Sequence, residues 1–198
     1  MSRNRFKEFL HHLRFDIKSN RRHPLADDKF AHVSELFHMF RNNCCTKYTP
    51  DMSLTVDEQL LPLKSRCSLV TFMPNKPDKY GLKFWIMAEV RTKYVVNILP
   101  LLGAQEADLR GGQPLAENVV MRLSQPIKNK GYNICCDNLF TSLPLARLLH
   151  VVKTTIVGTI RKNGRELSNP DMTDSTGELY RSKFFWQPES SALFLNYK

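Results

Sequence analysis

The sequence predicts an α/β protein in which a mixed β-sheet is flanked by helices and preceded by a small helical segment. Up to residue 48, apolar residues recur at helical spacing. From residue 49 to residue 99 the pattern changes to short strands separated by turn residues, and after residue 114 helical and strand-like stretches alternate. We therefore expect two parts, a helical segment at 1–48 and a sheet domain at 49–198.

The helical segment contains two amphipathic stretches. The first has apolar residues at i, i+3, i+4 and i+7, namely Phe6, Phe9, Leu10 and Leu13. Pro24 separates it from the second stretch, which Asp27 or Asp28 can cap. The apolar face of the second stretch consists of Phe30, Val33, Phe37 and Phe40. Such faces require a partner surface, and we expect both to pack into a core.

The first strands of the sheet domain follow one another closely. Residues 54–60 predict a short strand that leads into a basic loop at 64–68 and a turn-rich stretch at 73–81. Two β-rich runs, 82–90 and 94–99, are close enough in sequence to pair as a hairpin. Together these runs predict a three-stranded meander.

The remainder of the domain alternates between helix and strand. Residues 115–123 predict a helix, 132–136 an apolar strand, 144–151 a short helix and 154–160 a β-branched strand. Two further runs, 184–186 and 192–195, also predict strands. A meander followed by alternating helices and strands implies a mixed sheet. Its element order is that of a ribonuclease-H-like core, although other α/β folds share this order.

The chain is strongly basic, with 29 Lys and Arg against 19 Asp and Glu and a net charge of +10. Such an excess favours a polyanionic partner, because each neutralised phosphate releases condensed counterions. A basic surface without a partner is the alternative. The sequence has neither a run of 18 apolar residues nor a signal-peptide core. We therefore expect a protein that is not secreted and has no membrane partner.

The cysteines do not form a disulfide framework. Their number is odd and four of them are adjacent pairs, in the set Cys44, Cys45, Cys67, Cys135 and Cys136. Cysteine and histidine spacings typical of zinc sites are absent from the sequence. We expect reduced, buried thiols in a cytosolic or nuclear compartment.

Two acidic residues lie at strand ends, where active-site groups of α/β sheets gather. Asp57 follows the start of the strand at 54–60, on the face shared with Thr55 and Gln59, and Asp137 follows the strand at 132–136. If these strands are neighbours, the two carboxylates can share divalent cations. The alternative is structural, since Asp137 can begin a turn and Asp57 can bond the backbone at a strand end.

Several segments resemble piggyBac-type DDE transposases in sequence and in order. The most specific are Leu54-Thr-Val-Asp-Glu-Gln-Leu60, Pro74-Asn-Lys-Pro with Lys79-Tyr-Gly-Leu-Lys83, Cys136-Asp-Asn-Leu-Phe-Thr-Ser-Leu-Pro-Leu145, and Ile156-Val-Gly-Thr159. The resemblance covers essentially the whole chain and implies a ribonuclease-H-like DDE catalytic domain at 49–198. It also implies that 1–48 is a remnant of the family's dimerisation and DNA-binding region.

This resemblance implies that Asp57 and Asp137 are the first two catalytic carboxylates and ligands of Mg²⁺ or Mn²⁺. It implies cleavage and transfer of double-stranded DNA, at transposon ends and AT-rich targets, in the nucleus, and it allows a homodimer. The basic residues expected near Asp57, where they would hold DNA phosphates, are Lys64, Arg66, Lys76, Lys79 and Lys83. Phe72 or Tyr80 either stacks on a base or packs in the core.

The chain departs from the family pattern in its acidic residues. In the family the third carboxylate lies downstream of strands that match the last residues here, so it is expected beyond Lys198, and the sheet is expected to be incomplete at its C-terminal end. We therefore expect metal binding to be weak or absent and the chain to be inactive alone. A non-catalytic DNA-binding or scaffold protein derived from a transposase is the alternative. Three further acidic residues have no family match, Asp171, Asp174 and Glu178.

A second departure lies in the predicted hairpin. Where the family often has an aspartate and a turn glycine before Thr-Lys-Tyr, this chain has Glu89 and Arg91. Loss of a turn glycine weakens a tight hairpin, so we expect this hairpin to be less constrained.

Overall fold

The computed structural model describes residues 1–15, 17, 30–64, 67–101, 114–160, 182–188 and 192–197. Within these ranges the chain forms helices around a six-stranded mixed sheet, together with a separate two-stranded sheet. None of the helices in the described ranges has the length and apolarity needed to cross a lipid bilayer.

Two helices precede the sheet. Helix α1 (Arg3–His12) begins after Ser2, whose hydroxyl accepts the Arg5 N–H at 3.4 Å as an N-cap. Helix α2 (Ser34–Thr46) follows, and one side of it packs against the sheet. At this contact the ring centroids of Phe37 and Phe84 are 6.0 Å apart.

Six strands make up the main sheet, namely β1 (Ser53–Pro62), β2 (Val70–Phe72), β3 (Tyr80–Glu89), β4 (Val95–Pro100), β5 (Asn133–Cys136) and β6 (Thr155–Gly158). Strand β3 pairs antiparallel with β1 on one side and with β2 and β4 on the other. Strand β5 lies parallel to β1, and β6 lies parallel to β5. An antiparallel meander that continues into parallel strands confirms the predicted mixed sheet flanked by helices.

One face of the sheet, here called the core face, carries Leu54 and Val56 of β1. Helices α3 (Leu115–Leu123) and α4 (Leu143–Val151) lie against it. Together they bury the main hydrophobic core, which includes Leu54, Val56, Trp85, Met87, Val119, Val120, Leu123, Ile134, Phe140, Leu145 and Leu149. The short 3-10 helix Gln125–Ile127 lies in the connection between α3 and β5. Burial of this apolar set is the main favourable term for the fold.

The opposite face is here called the acidic face because it carries Asp57. Among the described residues it is covered mainly over β3. There Phe30 and Phe37 meet edge to face at 5.1 Å and pack with Leu69 and Phe84 in a second cluster. Helix α2 therefore covers the meander side of this face, and the strip along β1 remains exposed at alternate positions.

The two-stranded sheet consists of β7 (Ser182–Gln187) and β8 (Ala192–Tyr197), which pair antiparallel. In their register Phe184 lies opposite Leu195 and Trp186 lies opposite Leu193. These four large apolar side chains are exposed on one face of the hairpin. Both strands were predicted, and their existence is confirmed.

The predicted order of elements is confirmed from β1 to β6, with one additional strand. Strand β2 lies between the basic loop and the turn-rich stretch, where no strand was predicted. Three residues show too little alternation to be recognised in a sequence, and only pairing with residues 80–82 of β3 makes β2 a strand. Strand β6 ends at Gly158, earlier than the β-branched pattern suggested.

The expectation that both N-terminal apolar stripes pack into a core is only partly correct. Phe30 and Phe37 do so, but Phe40 is exposed because the cluster occupies the other side of α2. In α1 no residue is buried among the described residues, and Phe6 and Phe9 are exposed. The proposed break and caps at Pro24, Asp27 and Asp28 lie outside the described residues.

All five cysteines are free, as predicted, but they are not all buried. Cys44 and Cys136 are buried, whereas Cys135 is exposed, and for Cys135 the expectation is wrong. The physical reason is strand alternation: Cys136 points to the core face and its neighbour Cys135 points to the acidic face.

The predicted weakening of the β3–β4 hairpin by the missing glycine is also wrong. The left-handed residue in this turn is Lys93, with φ 64°, and Arg91 does not have a positive φ. A glycine at position 91 is therefore not required by the backbone. Glu89 is fully buried and its carboxylate accepts the Thr92 hydroxyl of the turn, so it takes a structural part in the hairpin.

Candidate functional site

Asp57 and Asp137 lie side by side on two neighbouring parallel strands. The register of β1 and β5 pairs Thr55 with Cys135 and Val56 with Cys136. This register ends at Val56 and Cys136, and extending it by one residue would place Asp57 of β1 opposite Asp137, which directly follows β5. Because neighbouring strands lie about 4.8 Å apart, the topology brings together two carboxylates that are far apart in sequence.

Both side chains belong to the acidic face. Along β1 the buried residues Leu54 and Val56 alternate with Thr55 and Asp57, and Asp57 is exposed. Extending the alternation of β5 by one residue places Asp137, also exposed, on the side of Cys135. The predicted face of Asp57 is confirmed.

Each carboxylate uses one oxygen to accept a backbone N–H close in sequence. The Glu58 N–H donates to Asp57 Oδ1 at 2.7 Å, and the Leu139 N–H donates to Asp137 Oδ1 at 2.9 Å. Among the described residues, neither Oδ2 atom has a hydrogen-bond partner. These local bonds restrict the rotamers and leave one oxygen of each carboxylate available to a ligand.

The negative charges of both Asp57 and Asp137 affect the pKa of the buried Cys136 thiol. Burial first, and then the charges of Cys135, Asp137 and Asp57, raise the pKa of the Cys136 thiol to about 12. Both carboxylates therefore lie near this buried thiol, Asp57 in the middle of β1 and Asp137 directly after β5. Cys136 itself stays protonated and is not a ligand at neutral pH.

The turn after Asp137 is held against the end of β6. The Thr141 hydroxyl donates to the Asp137 carbonyl at 2.8 Å, and the Thr141 N–H donates to the same carbonyl at 3.1 Å. Gly158 of β6 lies against this turn. A Cβ at position 158 would clash, because it would be 2.2 Å from Thr141 Oγ1 and 2.5 Å from the Cys136 carbonyl oxygen. Thr141 and Gly158 therefore position Asp137, which the sequence pattern did not indicate.

The same turn is anchored on the core face by an aromatic contact. Phe140 is buried and meets Trp85 edge to face, with ring centroids 5.5 Å apart. Trp85 lies opposite Glu58 in the β1–β3 register, next to Asp57. The contact therefore connects the turn that carries Asp137 to the strand pair that carries Asp57.

The predicted phosphate-binding lysines do not all gather at the acidic pair. Lys83 Nζ lies 2.6 Å from Glu58 Oε2 and 4.1 Å from the Trp85 ring centroid, on the core face. Lys76 Nζ lies 3.9 Å from Glu58 Oε1. Glu58, to which no role was assigned, thus holds two of the predicted cations on the face opposite Asp57.

The remaining predicted cations lie beyond the end of β1. Lys64 and Lys79 are exposed, and Lys79 is in the turn between β2 and β3. Arg66 lies outside the described residues. At this end Phe72 and Tyr80 form a ring pair with centroids 5.0 Å apart, and they are 53% and 57% exposed. Packing of these two rings in the core is excluded.

The chemistry of the donors fits a hard divalent cation, because each carboxylate presents a free oxygen and Mg²⁺ prefers oxygen ligands. In the part of the chain that the structure describes, no group of three or more His, Cys, Asp and Glu side chains is placed to hold a metal. Asp57 and Asp137 are thus two candidate carboxylate ligands there. The other acidic candidates, Asp171, Asp174 and Glu178, lie outside the described residues.

Comparison with known proteins adds a family match. The family model described as Transposase IS4 matches residues 1–188. The chain is 26% identical over 167 residues to the human PiggyBac transposable element-derived protein 3, a match that covers 82% of this chain and 27% of that protein. The chain therefore spans about a quarter of the length of this relative.

The fold is also similar to a solved structure. It superposes with a TM-score of 0.86 and 38% identity on the chain of a piggyBac transposase synaptic complex with hairpin DNA, determined by cryo-EM. The match covers 98% of this chain and 43% of that chain. At this identity the similarity extends beyond topology to sequence.

Proposed function

The chain belongs to the Transposase IS4 family of DDE transposases, and is of the piggyBac type; on this basis we propose that it carries part of the catalytic core of an enzyme that cleaves and transfers DNA strands. Asp57 and Asp137 supply two carboxylates of that core, and Mg²⁺ or Mn²⁺ is the cofactor. The substrates are transposon ends and an AT-rich target in double-stranded DNA.

The register between β1 and β5 is the observation on which this proposal depends. It pairs Val56 with Cys136, so that the next residues are Asp57, in the middle of β1, and Asp137, directly after β5. A purely structural role for either aspartate needs no second carboxylate beside it. Two neighbouring carboxylates are costly unless a cation offsets their repulsion.

The protein's own residues fix the two carboxylates. Backbone N–H groups hold Asp57 Oδ1 and Asp137 Oδ1, and Thr141 with Gly158 holds the turn around Asp137. A divalent cation bound there would activate the attacking hydroxyl and stabilise the leaving oxygen of the phosphate. The exposed position of both carboxylates allows a DNA strand to approach them directly.

Two carboxylates hold a divalent cation weakly. We expect this 198-residue chain to bind Mg²⁺ or Mn²⁺ with low affinity and not to transfer DNA strands by itself. Strand transfer should fail because a weakly held cation is poorly positioned, and misplacement of a reacting group by 1 Å can cost about 100-fold in rate.

Titration with Mn²⁺ followed by electron paramagnetic resonance tests the site. Asp57→Asn and Asp137→Asn should each weaken Mn²⁺ binding by about tenfold or more, since loss of even an outer-shell partner costs about 10-fold or more. Asp51→Asn is a matched control, because Asp51 Oδ1 also accepts the next residue's N–H at 2.7 Å but lies before β1, away from Asp137. The Asp51→Asn protein should bind Mn²⁺ with the same affinity as the native chain.

Equal Mn²⁺ binding by all three variants would refute the assignment of the two aspartates. The activity is tested with a longer polypeptide of the same protein and a DNA duplex that carries terminal repeats. Nicking should require Mg²⁺ or Mn²⁺ and should be lost on substitution of Asp57 or Asp137.

Support for DNA as the partner comes from the net charge of +10 and from the solved relative, which is a complex with hairpin DNA. We propose a nuclear location and a homodimer as the working assembly. Size-exclusion chromatography with light scattering measures the assembly, and a monomer in the presence of DNA would contradict it.

A second candidate function is a DNA-binding or scaffold protein that derives from a transposase and has lost catalysis. The observation in its favour is the basic surface, which supports binding without chemistry. In that case affinity for duplex DNA falls steeply with salt, neither aspartate substitution changes it, and the longer polypeptide does not nick DNA.

A further inference from the structure

The ring pair of Phe72 and Tyr80 is held rigidly at the surface. The rings lie opposite each other in the β2–β3 register, with centroids 5.0 Å apart and planes inclined by 41°. The turn between them is closed by the Met73 N–H, which donates to the Lys79 carbonyl at 2.8 Å. More than half of each ring is exposed. Exposed aromatic rings that are fixed in place present π-faces at little entropic cost.

An exposed strip connects these rings with the acidic pair. On the acidic face of β1, Asp57 is followed at alternate positions by Gln59 and Leu61, both exposed. The Leu63 N–H then donates to the Tyr80 carbonyl at 3.3 Å. Six strand residues at about 3.3 Å each separate Asp57 from this point, or about 20 Å.

The charges around the rings favour an anionic occupant. Lys79 is adjacent to Tyr80 and exposed, and Lys64 is exposed beyond the end of β1. Asp78 is the acidic member of the turn, and it is exposed as well. A nucleic-acid strand has both features that this surface can bind, flat bases for the rings and phosphates for the lysines.

We propose that Phe72 and Tyr80 are a stacking platform for an unpaired base of a DNA strand that runs along β1 from the acidic pair. The base lies about 20 Å along β1 from the phosphate at Asp57. The choice of DNA as the strand rests on the function proposed above. Stacking tolerates any base, so the platform binds unpaired strands without specifying their sequence.

Fluorescence anisotropy with the full 198-residue chain and a labelled 12-nucleotide single strand tests the platform. Phe72→Thr with Tyr80→Thr replaces both rings with a β-branched residue that favours strands, and should lower affinity about 5- to 100-fold, the range for loss of one stacked base. The slope of affinity against salt should stay unchanged, because no phosphate contact is lost. Affinity for a blunt duplex should change little.

Two exposed aromatic residues elsewhere provide the control. Phe184→Thr with Trp186→Thr removes exposed rings from β7 and should leave single-strand affinity at the native value. Tyr80→Phe should also bind normally, because stacking does not need the hydroxyl. An equal loss in the platform and control variants, or a loss on the duplex as large as on the single strand, would overturn the proposal.

A third variant keeps the test valid if the double substitution prevents folding. In Tyr80→Trp, the new indole should be quenched by the single strand but not by the duplex, and absence of quenching would also overturn the platform. Mn²⁺ binding is measured in the same proteins. Platform variants should bind Mn²⁺ normally, so a failure at the rings and a failure at Asp57 and Asp137 are distinguishable.

Discussion

At the residue scale, the site depends on small features next to the two aspartates. Asp57 and Asp137 each accept a backbone N–H, and the turn after Asp137 lies close to the end of β6. Gly158 allows this close approach because it has no Cβ to meet Thr141 Oγ1 and the Cys136 carbonyl oxygen. The sequence segment containing Gly158 was recognised for its family resemblance, but its steric role was visible only once the turn and β6 were packed together.

Gly158→Ala should destabilise the protein by about 1–3 kcal/mol, the usual cost of forcing extra atoms into a packed site. Equilibrium unfolding in urea measures the change in the free energy of unfolding. The same substitution should weaken Mn²⁺ binding, because the turn carrying Asp137 must move.

Gly131→Asn is the control for this substitution. A Cβ at Gly131 has no atom within 4 Å, and its φ of +79° lies in the left-handed region that asparagine tolerates. Its unfolding free energy should stay near the native value. A Gly158→Ala protein as stable as Gly131→Asn would show that the turn is not tightly packed on β6.

At the element scale, Glu89 connects three parts of the fold. Its carboxylate accepts the Asp51 N–H at 2.6 Å and the Tyr48 hydroxyl at 3.0 Å, and it also accepts the Thr92 hydroxyl. The end of α2, the entry to β1 and the β3–β4 turn therefore meet at one buried side chain. The hydrogen bond from Thr92 and then that from the Asp51 backbone lower the pKa of Glu89, against the opposing effect of burial.

This lowered pKa predicts a specific dependence of stability on pH. The stabilisation from Glu89 is fully present above the unfolded-state pKa of about 4.3 and is lost as pH falls through the lower folded-state value. In Glu89→Gln, which cannot ionise, that part of the pH dependence should disappear. The native chain should be the more stable of the two at pH 7, and the difference should shrink below pH 4.

Urea unfolding at several pH values measures this effect. Glu117→Gln is a suitable control, because Glu117 is only half-buried and accepts a hydroxyl from Ser142 rather than a backbone N–H. Parallel pH profiles for the native and Glu89→Gln proteins would contradict the assigned role of Glu89.

At the scale of the whole molecule, the described residues leave large apolar surfaces exposed. Phe6 and Phe9 of α1 are exposed, and one face of the β7–β8 hairpin presents a contiguous apolar set, Phe184, Trp186, Leu193 and Leu195. Contiguous exposed apolar surface is typical of an interaction site. Among the described residues β7 and β8 pair only with each other, and unpaired strand edges are prone to pair with other chains.

The exposed hairpin predicts self-association of the 198-residue chain. Trp186→Ser with Leu193→Ser should weaken the association at least about tenfold, since exposing one large apolar side chain costs about 1.5–3 kcal/mol. Light scattering over a range of protein concentrations measures this self-association. Val151→Ser removes an exposed side chain that is not part of the hairpin and should have no such effect. Unchanged association in the double variant would exclude the hairpin as the contact surface.

By itself, the sequence determined the local elements and the identity of the acidic residues. Runs of strand-forming residues predicted β1, β3 and β4, and the stretches 115–123 and 144–151 predicted α3 and α4. Asp57 and Asp137 were singled out at predicted strand ends, which is correct for Asp137 but wrong for Asp57, because β1 continues to Pro62. These features depend on neighbours within a few residues, so a pattern can reveal them. The exposure of Cys135 and of the apolar stripe of α1 could not be predicted from local patterns, because exposure depends on which elements pack against each other in the folded protein.

Only the tertiary structure decided which strands are neighbours and in what register. A shift of β5 by one residue would send Asp137 to the core face and separate it from Asp57. That register is fixed by the simultaneous packing of both strands under α3 and α4, and no local pattern contains it. Likewise, Lys83 was expected near Asp57, but strand alternation placed it with Glu58 on the opposite face.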